Sequence, residues 1–164
     1  MKEIVFMRHG KAEKGYDKND FDRGLVTQRI QDLELTANRL KLDFKPDIIL
    51  SSSAIRTKET TKHVVDFAQW QDVDVQYLKR FYNAEMSTLI DELTLLPNNI
   101  QRIMLVGHNP SITETAFNFC IPPRLYYISV GSYVRIKLDM KNWNEISHFS
   151  KKGIYVDSLS HKEM

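Results

Sequence analysis

The segment Glu3-Ile4-Val5-Phe6-Met7-Arg8-His9-Gly10 is an apolar run that ends abruptly in a polar Arg-His-Gly turn. A strand that is apolar on both faces is typical of a central strand with helices packed on either side. Two later segments have the same form: residues 47–50 ahead of Ser51-Ser52-Ser53, and residues 103–106 ahead of Gly107-His108-Asn109-Pro110. We therefore predict three buried strands, each leading into a polar turn.

The segments between these strands have the spacing of amphipathic helices. Apolar residues recur every three or four positions over residues 27–42, which predicts a helix there. Further helices are predicted over 55–70, 86–96 and 111–119, the first of them capped by Ser51-Ser52-Ser53, and a further strand over 73–78. This alternation favours an α/β fold, a three-layer sandwich with a mostly parallel central sheet and helices on both faces.

The last third of the chain predicts an antiparallel edge hairpin on this sheet. Residues 133–138 alternate apolar and polar side chains, and residues 145–149 are the predicted hairpin partner. The chain after about Asp157 is predicted to be frayed. A length of 164 residues fits a single domain over residues 1–164, since domains average roughly 150 residues.

Composition excludes several classes of protein. Hydrophobic residues make up 42% and charged residues 27% of the chain, as in folded globular proteins. The net charge of +2 comes from 23 basic and 21 acidic residues that are mixed along the chain, so neither nucleic acid nor a membrane surface is expected as a partner. A lone cysteine, Cys120, and the absence of a signal region predict a reducing, cytoplasmic setting.

Four side chains that are suited to catalysis or to anion binding lie where predicted strands end. Arg8 and His9 follow the first strand, Arg56 follows the second, and His108 follows the fourth. Ligands bind at the carboxyl ends of strands in open α/β sheets, so we expect these groups to converge. Arginine forks match phosphate oxygens, helix amino termini attract anions, and a histidine can be the nucleophile. No carboxylate pair belongs to the set, which gives metal-assisted hydrolysis little support, and no cofactor is expected.

Each of these residues also has an ordinary structural interpretation. Alone, Arg8 would more often form a strand-end salt bridge, and Arg56 a solvated pair with Glu59 or Asp47. An isolated histidine is more often structural than catalytic. Only the placement of all four at strand ends favours a phosphate pocket.

On three motifs the chain resembles the histidine phosphatase (phosphoglycerate mutase-like) superfamily, and within it the small SixA-type phosphohistidine phosphatases. The motifs are Met7-Arg8-His9-Gly10, then Leu50-Ser51-Ser52 with Arg56, then Leu105-Val106-Gly107-His108-Asn109-Pro110-Ser111. The resemblance implies a phosphoglycerate mutase-like fold and a metal-independent phosphatase in which His9 becomes phosphorylated. It implies that Arg8, Arg56 and His108 bind the phosphoryl group, and the backbone N–H of Gly107 is expected to join them.

The chain departs from this family in two places that bear on chemistry. An asparagine that larger members place seven residues after the first arginine is Gly15 here, which predicts the loss of one phosphate contact. Larger members also carry a glutamate after the third strand that protonates the leaving oxygen. The nearest carboxylate here is Glu85, which is displaced by a few residues. Glu85 can equally be a residue of the first helical turn, where the helix dipole favours a negative charge.

Because the nearest carboxylate is displaced from the position of the family's proton donor, a substrate with a good leaving group is favoured. An alkoxide needs a proton in the transition state, whereas the imidazole of phosphohistidine leaves more readily, so a protein that carries phosphohistidine is the expected substrate. This chemistry predicts a neutral His9, because arginines surround it, and a His108 that the bound phosphate keeps protonated. Two alternatives stay open: a small-molecule phosphatase or mutase, and a phosphate-binding regulatory domain without catalysis.

Overall fold

Six strands and four α-helices alternate along residues 1–163, the part of the chain that the computed structural model describes. The strands are β1 Lys2–Arg8, β2 Ile48–Ser52, β3 Asp74–Leu78, β4 Arg102–Gly107, β5 Tyr133–Leu138 and β6 Ile154–Leu159. The helices are α1 Ile30–Leu40, α2 Ile55–Ala68, α3 Met86–Thr94 and α4 Ser111–Phe119. Short 3₁₀ turns cover Asp20–Asp22, Thr27–Arg29, Lys79–Phe81 and Trp143–His148. Helix α1 thus begins three residues later than predicted, after a 3₁₀ turn.

The strands form one sheet in the order β3-β2-β4-β1-β5-β6. Strands β1 to β4 run parallel, while β5 is antiparallel to both β1 and β6. The carboxyl ends of β2, β4 and β1 are therefore neighbours at one edge. This order explains how three motifs that are far apart in sequence meet in space.

Side chains of the buried strands alternate between two cores, as their two-sided apolar character predicts. In β1, Ile4 and Phe6 join the core under α3 and α4, and Val5 and Met7 join the core under α1 and α2. Strands β2 and β4 divide their side chains in the same way. The predicted three-layer α/β sandwich with an antiparallel edge is confirmed.

The predicted partner of β5 is wrong. Residues 145–149 fall largely in the 3₁₀ turn Trp143–His148, and β6 pairs with β5 instead. The side chain of Asn142 accepts the main-chain N–H of Glu145, whose side chain in turn accepts the main-chain N–H of Asn142, and this capping box starts the turn. Trp143 and Ile146, three residues apart, both point into the core, which is a helical rather than an alternating pattern.

The predicted fraying after Asp157 is also wrong for the residues that the structure describes. Asp157, Ser158 and Leu159 belong to β6, and the following residues return to the carboxyl edge of the sheet. There the main-chain N–H of His161 donates to Ser132 Oγ over 2.8 Å. None of the helices within residues 1–163 has the length and apolar character that a bilayer crossing requires.

Candidate active site

His9 lies in a turn after β1 that is held from three sides. Its main-chain N–H donates to the carbonyl of Gly107 at the end of β4 (3.1 Å), and its own carbonyl accepts the N–H of Gly131 (2.8 Å). The next N–H, of Gly10, donates to Thr60 Oγ1 on α2 (2.9 Å). Gly131 adopts a φ of +70°, a conformation that favours glycine. The neighbouring elements therefore fix the backbone that carries His9.

The His9 ring is held in one tautomer. Its Nδ1 lies 2.7 Å from the carbonyl oxygen of Gly10, and because a carbonyl only accepts, Nδ1 carries the proton. The other nitrogen, Nε2, therefore holds the free lone pair of a neutral ring. Burial, aided by the positive charges of Arg56 and Arg8, lowers the pKa of His9 well below its usual value. The expectation of a neutral His9 agrees with this environment.

All four residues expected at the strand ends line one cavity of about 290 Å³. The rings of His9 and His108 lie 5.2 Å apart, and each residue is only 8% exposed. The remaining lining residues are Lys11, Ala12, Arg23, Asn109, Val130 and Glu163. The cavity wall is therefore rich in cations, which suits a small anion.

Within residues 1–163, five buried side-chain polar atoms lack a hydrogen-bond partner, and three belong to this cavity. They are Arg8 Nε, Arg56 Nε and His108 Nδ1. The two arginine nitrogens are donors, and an unpaired buried donor costs on the order of 1–3 kcal/mol, so the cavity calls for a ligand that accepts hydrogen bonds. A tetrahedral oxyanion has that chemistry.

Ser52 positions His108. The serine hydroxyl lies 2.8 Å from His108 Nε2 and also accepts the N–H of Ala54 over 3.2 Å. The serines were expected to cap α2, but Ala54 is the N-cap residue and makes no side-chain cap bond. Ser52 instead turns the ring so that Nδ1 is the nitrogen left without a partner.

In the free protein His108 is neutral, and its expected protonation in the presence of bound phosphate stays a prediction. Burial, followed by the nearby charge of Arg56, lowers the pKa of His108 to about 4, so the ring is neutral near pH 7. The sequence identifies the residues of the site but does not show how deeply His108 is buried, and burial is what lowers its pKa. A charged His108 therefore requires a bound anion to offset the arginines.

Asp20 and Tyr82 complete the environment of Arg56, and no motif in the sequence pointed to either residue. Asp20 accepts hydrogen bonds from Arg56 Nη2 (2.9 Å), Arg23 Nη2 (2.6 Å) and the Tyr82 hydroxyl (2.6 Å). The bond from Tyr82, with those from the two arginines, holds the pKa of the Asp20 carboxyl well below its usual value. Arg56 thus pairs with Asp20, and not with Glu59 or Asp47.

Gly15 lets Arg23 reach the cavity. Gly15 has a φ of +67°, and a Cβ built on it would lie 2.3 Å from Arg23 Cδ. The guanidinium of Arg23 also donates to the carbonyl of Glu13 over 2.9 Å. The position expected to lose a phosphate contact therefore makes room for another cation. Arg23 directly follows the 3₁₀ turn Asp20–Asp22, and none of the three sequence motifs includes it.

Two expected residues lie outside the cavity wall. Glu85 is exposed at the start of α3, where its carbonyl accepts the N–H groups of Thr88 and Leu89. Gly107 contributes its carbonyl to His9 and does not line the cavity. No group of three or more His, Cys, Asp or Glu side chains within residues 1–163 is arranged to hold a metal ion.

The buried His108 predicts a loss of stability in mild acid. Unfolded, the ring titrates near its ordinary pKa of about 6.5, whereas folded it titrates at about 4. The unfolded state therefore binds more protons as the pH falls below 6.5, and the free energy of unfolding decreases. Between pH 7 and pH 5 we expect His108 to account for about 2 kcal/mol of this decrease.

Urea denaturation at both pH values, on the wild-type chain and on His108→Asn, measures this contribution. The variant keeps every other titrating side chain, so the difference between the two pH slopes isolates His108. Equal slopes would contradict a neutral, desolvated ring.

The chain matches no protein-family profile, but it has relatives in sequence. An uncharacterized protein of Mycobacterium tuberculosis (strain H37Rv) is 29% identical over 111 residues, which make up 67% of each chain. Another, from Mycobacterium leprae, is 27% identical over 115 residues, 67% of this chain and 68% of the other.

Solved structures resemble the chain over almost its whole length. A candidate phosphohistidine phosphatase SixA from Nakamurella multipartita superposes with a TM-score of 0.82 at 17% identity, over 96% of this chain and 95% of that one. One from Agrobacterium tumefaciens gives 0.79 at 24% identity over 98% of each chain. The protein histidine phosphatase SixA complexed with tungstate gives 0.78 at 20% identity over 96% of each. The protein therefore has the same fold as these SixA structures, as its sequence resemblance implied.

Proposed function

We propose that the chain is a metal-independent phosphatase that works through a phosphohistidine on His9 and removes phosphoryl groups from phosphohistidine on a protein. The observation that carries the proposal is the His9 ring, whose Nδ1 proton is committed to the Gly10 carbonyl while cations surround it. This arrangement gives Nε2 a free lone pair beside a cavity suited to an anion.

In the first step, His9 Nε2 attacks phosphorus in line with the leaving group. The Nε2–P bond forms while the bond from phosphorus to the substrate nitrogen breaks. The substrate ring carries a proton on its other nitrogen, so that it takes the electron pair and leaves as neutral imidazole. Catalysis of such a transfer depends mostly on positioning and on stabilising charge on the three equatorial oxygens. Arg8, Arg56 and Arg23 are placed to stabilise that charge.

His108 becomes protonated when the substrate binds. In the free protein, burial and Arg56 keep the ring neutral. A bound dianion offsets the arginine and raises the pKa of His108, so the ring takes up a proton and donates it in a hydrogen bond to the phosphoryl oxygens. Substrate binding and protonation are then coupled.

In the second step, water attacks phosphorus from the side that the leaving group has vacated. The P–Nε2 bond breaks, the electron pair returns to His9, and inorganic phosphate is released. The same cations stabilise both transition states, because the transferring oxygens occupy the same positions in each step.

None of the carboxylates near the cavity is well suited to protonate a leaving group, which favours a substrate whose leaving group departs without strong acid assistance. Asp20 is held ionised by Tyr82 and two arginines, and Glu163 is ion-paired with Arg8. Glu85 lies outside the cavity wall. Because an alkoxide needs a proton in the transition state, this arrangement favours a phosphoramidate over an alkyl ester.

Two further considerations fit the proposal. The similar SixA protein was solved with tungstate, a tetrahedral oxyanion like phosphate. The single cysteine fits the cytoplasmic setting predicted from the sequence, where phosphohistidine proteins would be accessible.

We expect the wild-type chain to release phosphate from a phosphohistidine-bearing protein with a much higher kcat/KM than from an alkyl ester such as glycerol phosphate. The reason is that an alkoxide needs a proton in the transition state, and no carboxylate near the cavity is free to donate one. Phosphate release measured side by side on the two substrates provides the test, with orthophosphate binding measured on the same preparation.

Two other outcomes would contradict this substrate assignment. Vigorous turnover of sugar phosphates that Glu85→Gln abolishes would indicate a small-molecule phosphatase or mutase. Orthophosphate binding without turnover of either substrate would indicate a phosphate-binding regulatory domain.

A further inference from the structure

We propose that the carboxylate of Glu163 competes with the phosphoryl group for Arg8, so that the segment 160–163 lowers the affinity of the phosphate pocket. The inference rests on the pocket of the proposed function and adds a means of regulating it. Glu163 is a carboxylate in a cavity wall that is otherwise rich in cations.

The segment is anchored before it reaches the cavity. The main chain of His161 is held at both polar groups: its N–H donates to Ser132 Oγ (2.8 Å), and its carbonyl accepts from Ser129 Oγ (2.7 Å). Its ring nitrogen Nε2 lies 2.9 Å from Thr36 Oγ1 on α1. Three polar residues from two parts of the chain, α1 and residues 129–132, therefore define the path of the segment.

Beyond this anchor, cations hold the segment over the pocket. The carbonyl of Lys162 accepts from Arg29, and that of Glu163 accepts from Lys11 Nζ over 3.4 Å. The Glu163 carboxylate then meets Arg8, with Oε1 and Nη1 2.8 Å apart. Lys11 and Arg8 both line the cavity, so the segment ends on the residues that an oxyanion would contact.

A carboxylate in this position opposes a phosphoryl dianion in two ways. It neutralises the guanidinium charge that the dianion needs, and it places a like charge beside the dianion. Substrate must therefore either displace Glu163 or bind against its field. Both lower affinity.

The ion pair between Arg8 and Glu163 is weak enough to be broken reversibly. The side chains of Arg8 and Glu163 are 21% and 37% exposed, so water screens the pair and its net contribution is small. Phosphate can then displace the carboxylate without unfolding the anchor at His161. A partner that drew the segment away would raise the affinity of the pocket.

The test is the affinity of the full chain for orthophosphate, measured by isothermal titration calorimetry at low salt. Glu163→Gln keeps the size of the side chain and removes its charge. We expect it to bind orthophosphate about fivefold more tightly than wild type, a factor typical of losing one exposed pair. Glu34→Gln, on the exposed face of α1, removes a negative charge elsewhere and should leave the affinity unchanged.

Each result decides the inference. Tighter binding in Glu163→Gln alone supports it. Equal or weaker binding in Glu163→Gln, or an equal gain in Glu34→Gln, overturns it, as does failure of the wild-type chain to bind orthophosphate at all. Hydrolysis of p-nitrophenyl phosphate by the same preparations separates the two proposals: turnover with unchanged affinity rejects only the competition, and affinity gained without turnover rejects only the phosphatase.

Discussion

The His9→Ala variant is expected to release phosphate at least about 10⁴-fold more slowly than the wild-type chain, by analogy with the removal of nucleophiles in other hydrolases. The variant lacks the nitrogen that would bond to phosphorus, and the cations that remain cannot form a covalent intermediate. The loss should apply equally to a phosphohistidine protein and to p-nitrophenyl phosphate. Both substrates would use the same nucleophile.

Radiolabelled substrate distinguishes a nucleophile from a binding residue. Wild-type chain quenched during turnover should carry label that is lost in acid and kept in alkali, as expected of a phosphoramidate. His9→Ala should carry none. His148→Ala, at an exposed histidine remote from the cavity, serves as the matched control. Label that persists in His9→Ala would assign the intermediate to another residue.

The fold and the central residues of the site were accessible from sequence because their signals are local. The two-sided apolar character of residues 3–7 requires cover on both faces, and the polar turn that follows marks the strand end. The same pattern at β2 and β4 predicted where Arg56 and His108 would lie. Parallel strands expose their carboxyl ends at one edge, so convergence followed from topology alone.

The contacts that modify this site have no local signal. Asp20 lies in a polar loop, and its bond to Arg56 joins residues that are 36 positions apart. Glu163 meets Arg8 across 155 positions. The neutral state of His108 depends on burial, which requires the packed structure. By contrast, the 3₁₀ turn at Trp143–His148 had a local signal in the sequence, the Asn142 and Glu145 capping box, although residues 145–149 were predicted to pair with β5.

Arg56→Met is expected to lower kcat/KM by about 10³-fold, the upper range for losing one preorganised donor to a developing oxyanion. Arg56 is 5% exposed and lines the cavity beside His108, so little water stands between its charge and a bound phosphoryl group. Methionine retains the apolar part of the side chain but has neither the positive charge nor the paired N–H donors of the guanidinium group. Arg56→Lys, which restores the charge alone, should recover part of the loss.

Asp20→Asn decides whether Arg56 acts on substrate or only secures the loop that carries Asp20. It keeps the Arg56 cation and removes the carboxylate that pairs with Nη2. If the guanidinium stabilises the transition state, Arg56→Met must lose far more activity than Asp20→Asn. Thermal unfolding of both variants reports the structural cost separately. Equal losses of kcat/KM in the two variants would assign Arg56 to loop closure, and the stabilisation of the phosphoryl oxygens would then fall to Arg8, Arg23 and His108.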